Sequence, residues 1–168
     1  VAVKRPCFLA IVSSYALAKS LTRRANGRVD GFVIEGPSAG GHNAPPRGKL
    51  QLDDRGEPVY GARDEVNLES FVEMGAPFWI AGSVGSPEGL QQALEDGACG
   101  VQSGTAFALC EESGLVASVR HELIRDALAG EVKVVTDPLA SPTGFPFKVA
   151  KLEGSLSDPA VYQRRNRV

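Results

Sequence analysis

His42 is one of only two histidines in the 168-residue chain. It closes the run Ala39-Gly40-Gly41-His42, at the mouth of a predicted strand. A neutral imidazole takes up a proton near pH 7, so a histidine at a strand mouth is a candidate general base. The alternative is a solvated loop histidine. Glu35 opens the same loop and is a second acid–base candidate, or a ligand to the loop's own backbone. Two further loops could take a phosphate: Ala81-Gly82-Ser83 and Ser103-Gly104-Thr105. Each ends a predicted strand and precedes a predicted helix, where glycine lets backbone N–H groups approach an anion. Neither fits G-x-G-x-x-G, and neither contains the lysine of a P-loop. Either one alone also reads as a tight turn.

These loops are positioned by an alternation of strands and helices. Residues 7–12 form an apolar run suited to a parallel strand buried on both faces. Ser14 should cap the next helix, which Asn26-Gly27 should end. A second strand covers residues 29–34. Residues 43–63, rich in Gly, Pro and charge, read as an inserted loop or lid. A helix is expected over 64–73, ended by Gly75. The third strand covers 77–81, followed by a helix with Ser86 as N-cap and Pro87 at its first position. A short strand at 99–102, helical stretches at 106–110 and 115–129, a strand at 132–135 and a polar tail complete the chain.

Such alternation implies a parallel α/β sheet. An open doubly wound sheet and a (β/α)8 barrel both place ligands at the carboxyl ends of the strands. Periodicity does not choose between them. Phosphate-binding loops on two successive βα units favour the barrel.

Composition narrows the partners. Hydrophobic residues make up 43% of the chain and the formal net charge is -2. No basic stripe suggests nucleic acid. The cluster Arg164, Arg165 and Arg167 is expected to be solvated. No apolar run is long enough to span a membrane. Cys7, Cys99 and Cys110 are odd in number and match no metal motif; Cys7 and Cys99 are expected as small buried hydrophobes, in a reducing, cytoplasmic setting. Lys4, Arg5 and Pro6 interrupt any leader-like start. The acidic residues Asp53, Asp54, Glu57, Asp64 and Glu65 lack calcium-loop spacing and are expected to serve loop solubility. His121 reads as part of a solvated helix face.

The segment Glu35-Gly36-Pro37-Ser38-Ala39-Gly40-Gly41-His42 resembles the signature of the nitronate monooxygenase family, formerly called 2-nitropropane dioxygenases. Two later segments match in order. Ala81-Gly82-Ser83 with Gly89, Leu90, Ala93 and Leu94 is similar to the family's first phosphate loop and following helix. The run from Gly97 to Phe107 is similar to its second phosphate loop. Residues 140–147 resemble the C-terminal part of one branch. Ser83 departs from the pattern, standing where the family often has a second glycine, and the 43–63 loop is longer than in the best understood members.

The resemblance implies an FMN-binding (β/α)8 barrel. Backbone at Gly82, Ser83, Ser103, Gly104 and Thr105 would hold the FMN phosphate, with Ala81 in the first loop. Gln102, Ala39, Gly40 and Gly41 would line the cofactor, and Glu35 could bond a ribityl hydroxyl. His42 would lie near flavin and substrate, taking the α-proton of a nitroalkane or steadying a nitronate. With O2, the products would be a carbonyl compound and nitrite. A whole barrel needs roughly 250 residues. The four to five βα units here are therefore expected to be the C-terminal part of one, over residues 1–152, with 153–168 as a polar tail and the natural start missing. Two other functions stay open: an FMN-dependent enoyl-thioester reductase, and a phosphate- or flavin-binding barrel module without catalysis.

Overall fold

The computed structural model describes residues 4–165. They fall into two compact units. Among the described residues, the first comprises 4–39 and 60–104, the second 40–59 and 105–165.

The first unit is a four-stranded parallel sheet with three helices. Its strands are β1 (Leu9–Val12), β2 (Gly31–Glu35), β3 (Phe78–Ala81) and β4 (Gly100–Gln102), and its helices α1 (Tyr15–Arg24), α2 (Glu69–Met74) and α3 (Pro87–Glu95). Strand order follows the sequence, β1-β2-β3-β4, without the reversal that defines a doubly wound sheet. Alternation along the strands sends Ala10, Val12, Phe32, Ile34 and Phe78 to one face. There they form one core with Ala18 of α1, Phe71 of α2 and Ala93 of α3. All three helices thus cover the same face. Phe71 lies at the centre of this core, its ring set edge-on to Tyr15 and Phe32 and tilted against Phe78, with centroids 5.8–6.0 Å apart.

The other face carries Leu9, Ile11, Val33 and Trp79, by strand register. Here one expectation fails. β2 is buried on both faces, but in β1 burial alternates, and Phe8, Leu9 and Ile11 are exposed. A continuous apolar run does not distinguish a central strand from an edge strand. Cys7 and Cys99 are likewise exposed rather than buried. Both immediately precede or flank strand starts, where the chain leaves the core.

Local signals account for most helix ends. Ser14 Oγ accepts from Leu17 N at 3.2 Å, and Ser86 Oγ from Gly89 N at 3.0 Å with Pro87 in the first turn. Gly75, at φ 70, ends α2. Helix α1 instead stops at Arg24, with extended backbone at Ala25, before the expected Asn26-Gly27. The helix expected over 64–73 is divided: Ala62–Asp64 form a 3-10 turn and α2 begins only at Glu69. At the start of the sheet Asp30 accepts from Phe8 N and binds Arg5 and Arg28. These bonds hold its carboxylate down at a pKa of about 2, the Phe8 backbone bond foremost.

The second unit contains α4 (Thr105–Ala108), α5 (Ala117–Ala129), β5 (Val134–Asp137), β6 (Phe147–Ala150) and α6 (Pro159–Arg165). β5 and β6 pair antiparallel. β6 was not expected; it is four residues long and follows a loop with Pro138, Pro142 and Pro146. The expected polar tail carries α6, where Arg164 Nε donates to Ala160 O; Arg167 of the terminal cluster lies outside the described residues. Helix α5 buries no residue, and His121 is exposed as expected.

The long loop is ordered by its own hydrogen bonds. Val59 N donates to Gln51 O and Asp53 N to Glu57 O, both at 2.9 Å. Its acidic residues do more than confer solubility. Asp53 Oδ1 accepts from Arg55 N and Glu57 N, and Glu57 Oε2 accepts from Thr136 N of β5 at 2.7 Å. Asp64, in the first unit, accepts from Gly61 N.

Candidate functional site

In the first unit the candidate residues gather at the carboxyl edge of β2, β3 and β4. Register sets Glu35 beside Ala81 and Ala81 beside Gln102, so the three form one row across the sheet. Neighbouring strands lie about 4.8 Å apart, leaving Glu35 and Gln102 about 10 Å apart along the row. Ala81 separates the two longer side chains, and the Gln102 amide bears on the Glu35 carboxyl. Partial burial pushes the Glu35 carboxyl up, and the Gln102 amide pulls it part of the way back. Sequence reasoning named both residues but had no means of pairing them, because pairing depends on strand order and register.

The loop after β3 packs closely on the loop after β2. A Cβ at Gly82 would lie 2.7 Å from both Ala39 N and Ser38 Oγ, and Gly82 adopts φ 106. Glycine is needed there for both space and conformation. Ser83 follows at φ 57, and is the only non-glycine residue with positive φ among the described residues. This explains the departure noted in the sequence: the backbone position favours glycine, and serine occupies it at a cost of about 1–2 kcal/mol. Strain of this kind concentrates at ligand-binding loops. After β4, Ser103 Oγ lies 2.9 Å from where a Gly85 Cβ would stand, while a Cβ at Gly104 would meet nothing within 4 Å. The backbone at Gly104 is therefore open.

The remaining candidates belong to the second unit: Gly40, Gly41, His42 and Thr105. Asn43 N donates to Pro146 O at 2.8 Å, and Lys148 N to Gly41 O at 2.9 Å. These bonds flank the bridge between His42 and Phe147. In antiparallel pairing a residue pair flanked in this way is the closely spaced one, with side chains in contact. The His42 and Phe147 rings accordingly meet edge to face, centroids 4.7 Å apart. His42 Nε2 lies 2.7 Å from Ser141 Oγ, and Ser141 Oγ lies 2.7 Å from Thr143 Oγ1. His42 is exposed, whereas Ser141 is only 9% exposed. Ser141, Thr143 and Phe147 were not picked out as site residues from the sequence. They lie about a hundred residues away along the chain, and only the unforeseen β6 brings them to His42.

The nitronate monooxygenase family profile matches residues 4–139. The chain belongs to the nitronate monooxygenase family. A nitronate monooxygenase from Pseudomonas aeruginosa is 36% identical over 120 residues, which are 71% of this chain and 32% of that protein. Two further relatives are named for another substrate. A (3aS,4S,5R,7aS)-5-hydroxy-7a-methyl-1-oxo-octahydro-1H-indene-4-carboxyl-CoA dehydrogenase from Rhodococcus jostii is 30% identical, over 70% of this chain and 29% of that protein. A protein of the same name from Mycobacterium tuberculosis is 29% identical, over 85% of this chain and 36% of that protein. The chain thus spans about a third of the length of these relatives. Together they make an oxidoreductase function the common ground.

Proposed function

We propose that this chain is the FMN-binding, catalytic part of a (β/α)8 barrel that oxidises alkyl nitronates or nitroalkanes with O2 to a carbonyl compound and nitrite. The observation that carries the reading is the row of family-matched loops at the carboxyl edge of three sequential parallel strands. Helices on a single face and strand order without reversal support a barrel wall over a doubly wound sheet. The exposed edge strand β1 and the apolar face with Leu9 and Ile11 are what further barrel strands would cover. Residues 43–63 would be an inserted loop or lid. The three thiols are free, in keeping with a reducing, cytoplasmic setting.

The residues fit FMN. The open space at Gly104 and the left-handed turn at Gly82 and Ser83 suit loops that would close backbone N–H groups round a phosphate. Gly82, Ser83, Ser103, Gly104 and Thr105 would hold the phosphate. Ala39, Gly40, Gly41, Ala81 and Gln102 would line the cofactor, and Glu35 would accept from a ribityl hydroxyl. FMN, when bound, supplies the electron transfer between substrate and O2. His42 would take the α-proton of a nitroalkane, or donate to an oxygen of a nitronate anion.

The names of two relatives favour a second reading, an oxidoreductase acting on a CoA thioester. Two assays on the FMN-loaded protein separate them. Oxygen uptake with a nitronate is expected, and His42→Ala should lower nitroalkane turnover by about a hundredfold or more. NADH consumption with an enoyl thioester, and no oxygen uptake with nitronates, would replace the first reading by the second. Protein that binds no FMN and turns over neither substrate would leave a non-catalytic phosphate-binding module.

A further inference from the structure

The polar group around His42 holds more information than its contact with Phe147. Ser141 Oγ meets three polar atoms: His42 Nε2 and Thr143 Oγ1, both at 2.7 Å, and Thr143 N, which donates to it at 3.2 Å. A hydroxyl has one hydrogen and two lone pairs. Thr143 N–H takes one lone pair, so one donor and one acceptor remain for His42 and Thr143 Oγ1. Two arrangements satisfy this count. In one, Thr143 O–H donates to Ser141, and Ser141 O–H donates to an unprotonated Nε2. In the other, Nε2–H donates to Ser141, and Ser141 O–H donates to Thr143 Oγ1, which also accepts from Phe145 N at 3.4 Å.

A base must work in both charge states. The imidazolium carries hydrogen on both nitrogens, so in that state Nε2 can only donate. The first arrangement would have to reverse both hydroxyls each time the ring gained a proton. The second serves the neutral and charged rings unchanged. Ser141 is buried, which makes such a reversal costly, because its hydroxyl has little access to water as a temporary partner. The edge-to-face contact with Phe147 holds the ring plane while the backbone bonds of Gly41 and Asn43 hold its base.

We propose that Ser141, backed by Thr143, fixes His42 as its Nε2–H tautomer, so that Nδ1 is the nitrogen that takes up the substrate proton. Ser141 and Thr143 are positioning residues. The proposal rests on His42 being the base, but its tautomer arm can be tested independently of flavin and substrate.

The test is 15N NMR of the full chain labelled at histidine. The chain has two histidines, so His121→Asn assigns the His42 signals. Neutral His42 should be protonated at Nε2 alone, with a slowly exchanging Nε2 proton. In Ser141→Ala that proton should exchange rapidly, and the ring should return to the mixture of tautomers of a free imidazole. Thr143→Val should shift the ring part of the way, and Ser141→Thr should restore the wild-type pattern. In the FMN-loaded protein Ser141→Ala should lower kcat for a neutral nitroalkane about tenfold, a fraction of what a general base contributes. A preformed nitronate, with no α-proton to lose, should be affected less. An Nδ1–H tautomer in the wild type would overturn the proposal, and so would an unchanged Nε2 signal in Ser141→Ala. If that variant does not fold, a Thr143→Val spectrum identical to the wild type would also overturn it. Should His42→Ala retain nitroalkane turnover, the base role fails while the tautomer result stands.

Discussion

The buried aliphatic and aromatic side chains of the first unit, among them Val12, Phe32, Ile34, Phe71 and Phe78, have no counterpart among the described residues of the second. There the buried side chains are Asn43, Thr136 and Ser141, with Pro58 and Pro146. One unit is held by removing apolar surface from water. The other is held by hydrogen bonds between loops, such as Glu57 to Thr136 N and Ser141 to His42. Apolar burial is non-directional and supplies stability. A polar network supplies little net stability per bond but fixes orientation. The division suits the proposed chemistry: a phosphate needs a stiff edge of backbone, and a base needs its ring nitrogens assigned.

The sharpest way to break the contrast is Phe71→Ala. Removing the ring shared by Tyr15, Phe32 and Phe78 should cost about 3–5 kcal/mol, read from urea denaturation. No single apolar truncation in the second unit should approach this. A loss at the exposed Leu128 of α5 as large as that at Phe71 would remove the distinction.

Gly82→Ala attacks the stiff edge itself. The added methyl meets the backbone of Ala39 and the φ of 106 is unfavourable to alanine, so a loss of about 1–3 kcal/mol is expected. Because the strain falls on the proposed phosphate loop, FMN affinity should fall by more than stability alone explains. Equal FMN binding in wild type and variant would remove Gly82 from the cofactor site.

In the second unit Glu57→Ala should cost about 1–3 kcal/mol, because it leaves the N–H of buried Thr136 without its acceptor. Glu57→Gln, which keeps an acceptor oxygen, should recover most of the loss. Equal losses in both variants would mean that the charge, through Arg55, matters more than the bond to Thr136.

Legibility in the sequence divides along the same line. Strand and helix signals in the first unit are local: apolar runs, Ser14 and Ser86 caps, and Pro87. They located β2, β3, α1 and α3 to within a few residues. The burial of β1 was misjudged because edge position is a property of the assembled sheet. In the second unit the organising contacts are long-range and polar. Nothing near Glu57 announces Thr136, and nothing near His42 announces Ser141. The family motifs marked His42 and the glycine loops, but the partners that orient His42 became visible only through the pairing of β6.

The smallest expected effect tests whether charge contributes where apolar burial dominates. Asp30 joins the segment before β1 to the start of β2 through Phe8 N, Arg5 and Arg28. Its folded pKa, about 2, lies below the ordinary value of 3.8. A depressed carboxylate binds protons less readily in the folded than in the unfolded chain, so unfolding takes up protons in acid. Its contribution is therefore fully present above about pH 4 and is lost as pH falls toward 2. Thermal unfolding between pH 5 and pH 2 should show the wild type losing more stability than Asp30→Asn, whose side chain has no charge to lose. The partners Arg5 and Arg28 are well exposed, so the difference should shrink in high salt. Parallel pH profiles for the two proteins would mean that the Asp30 contacts add nothing to the anchoring of β1 beyond its apolar packing.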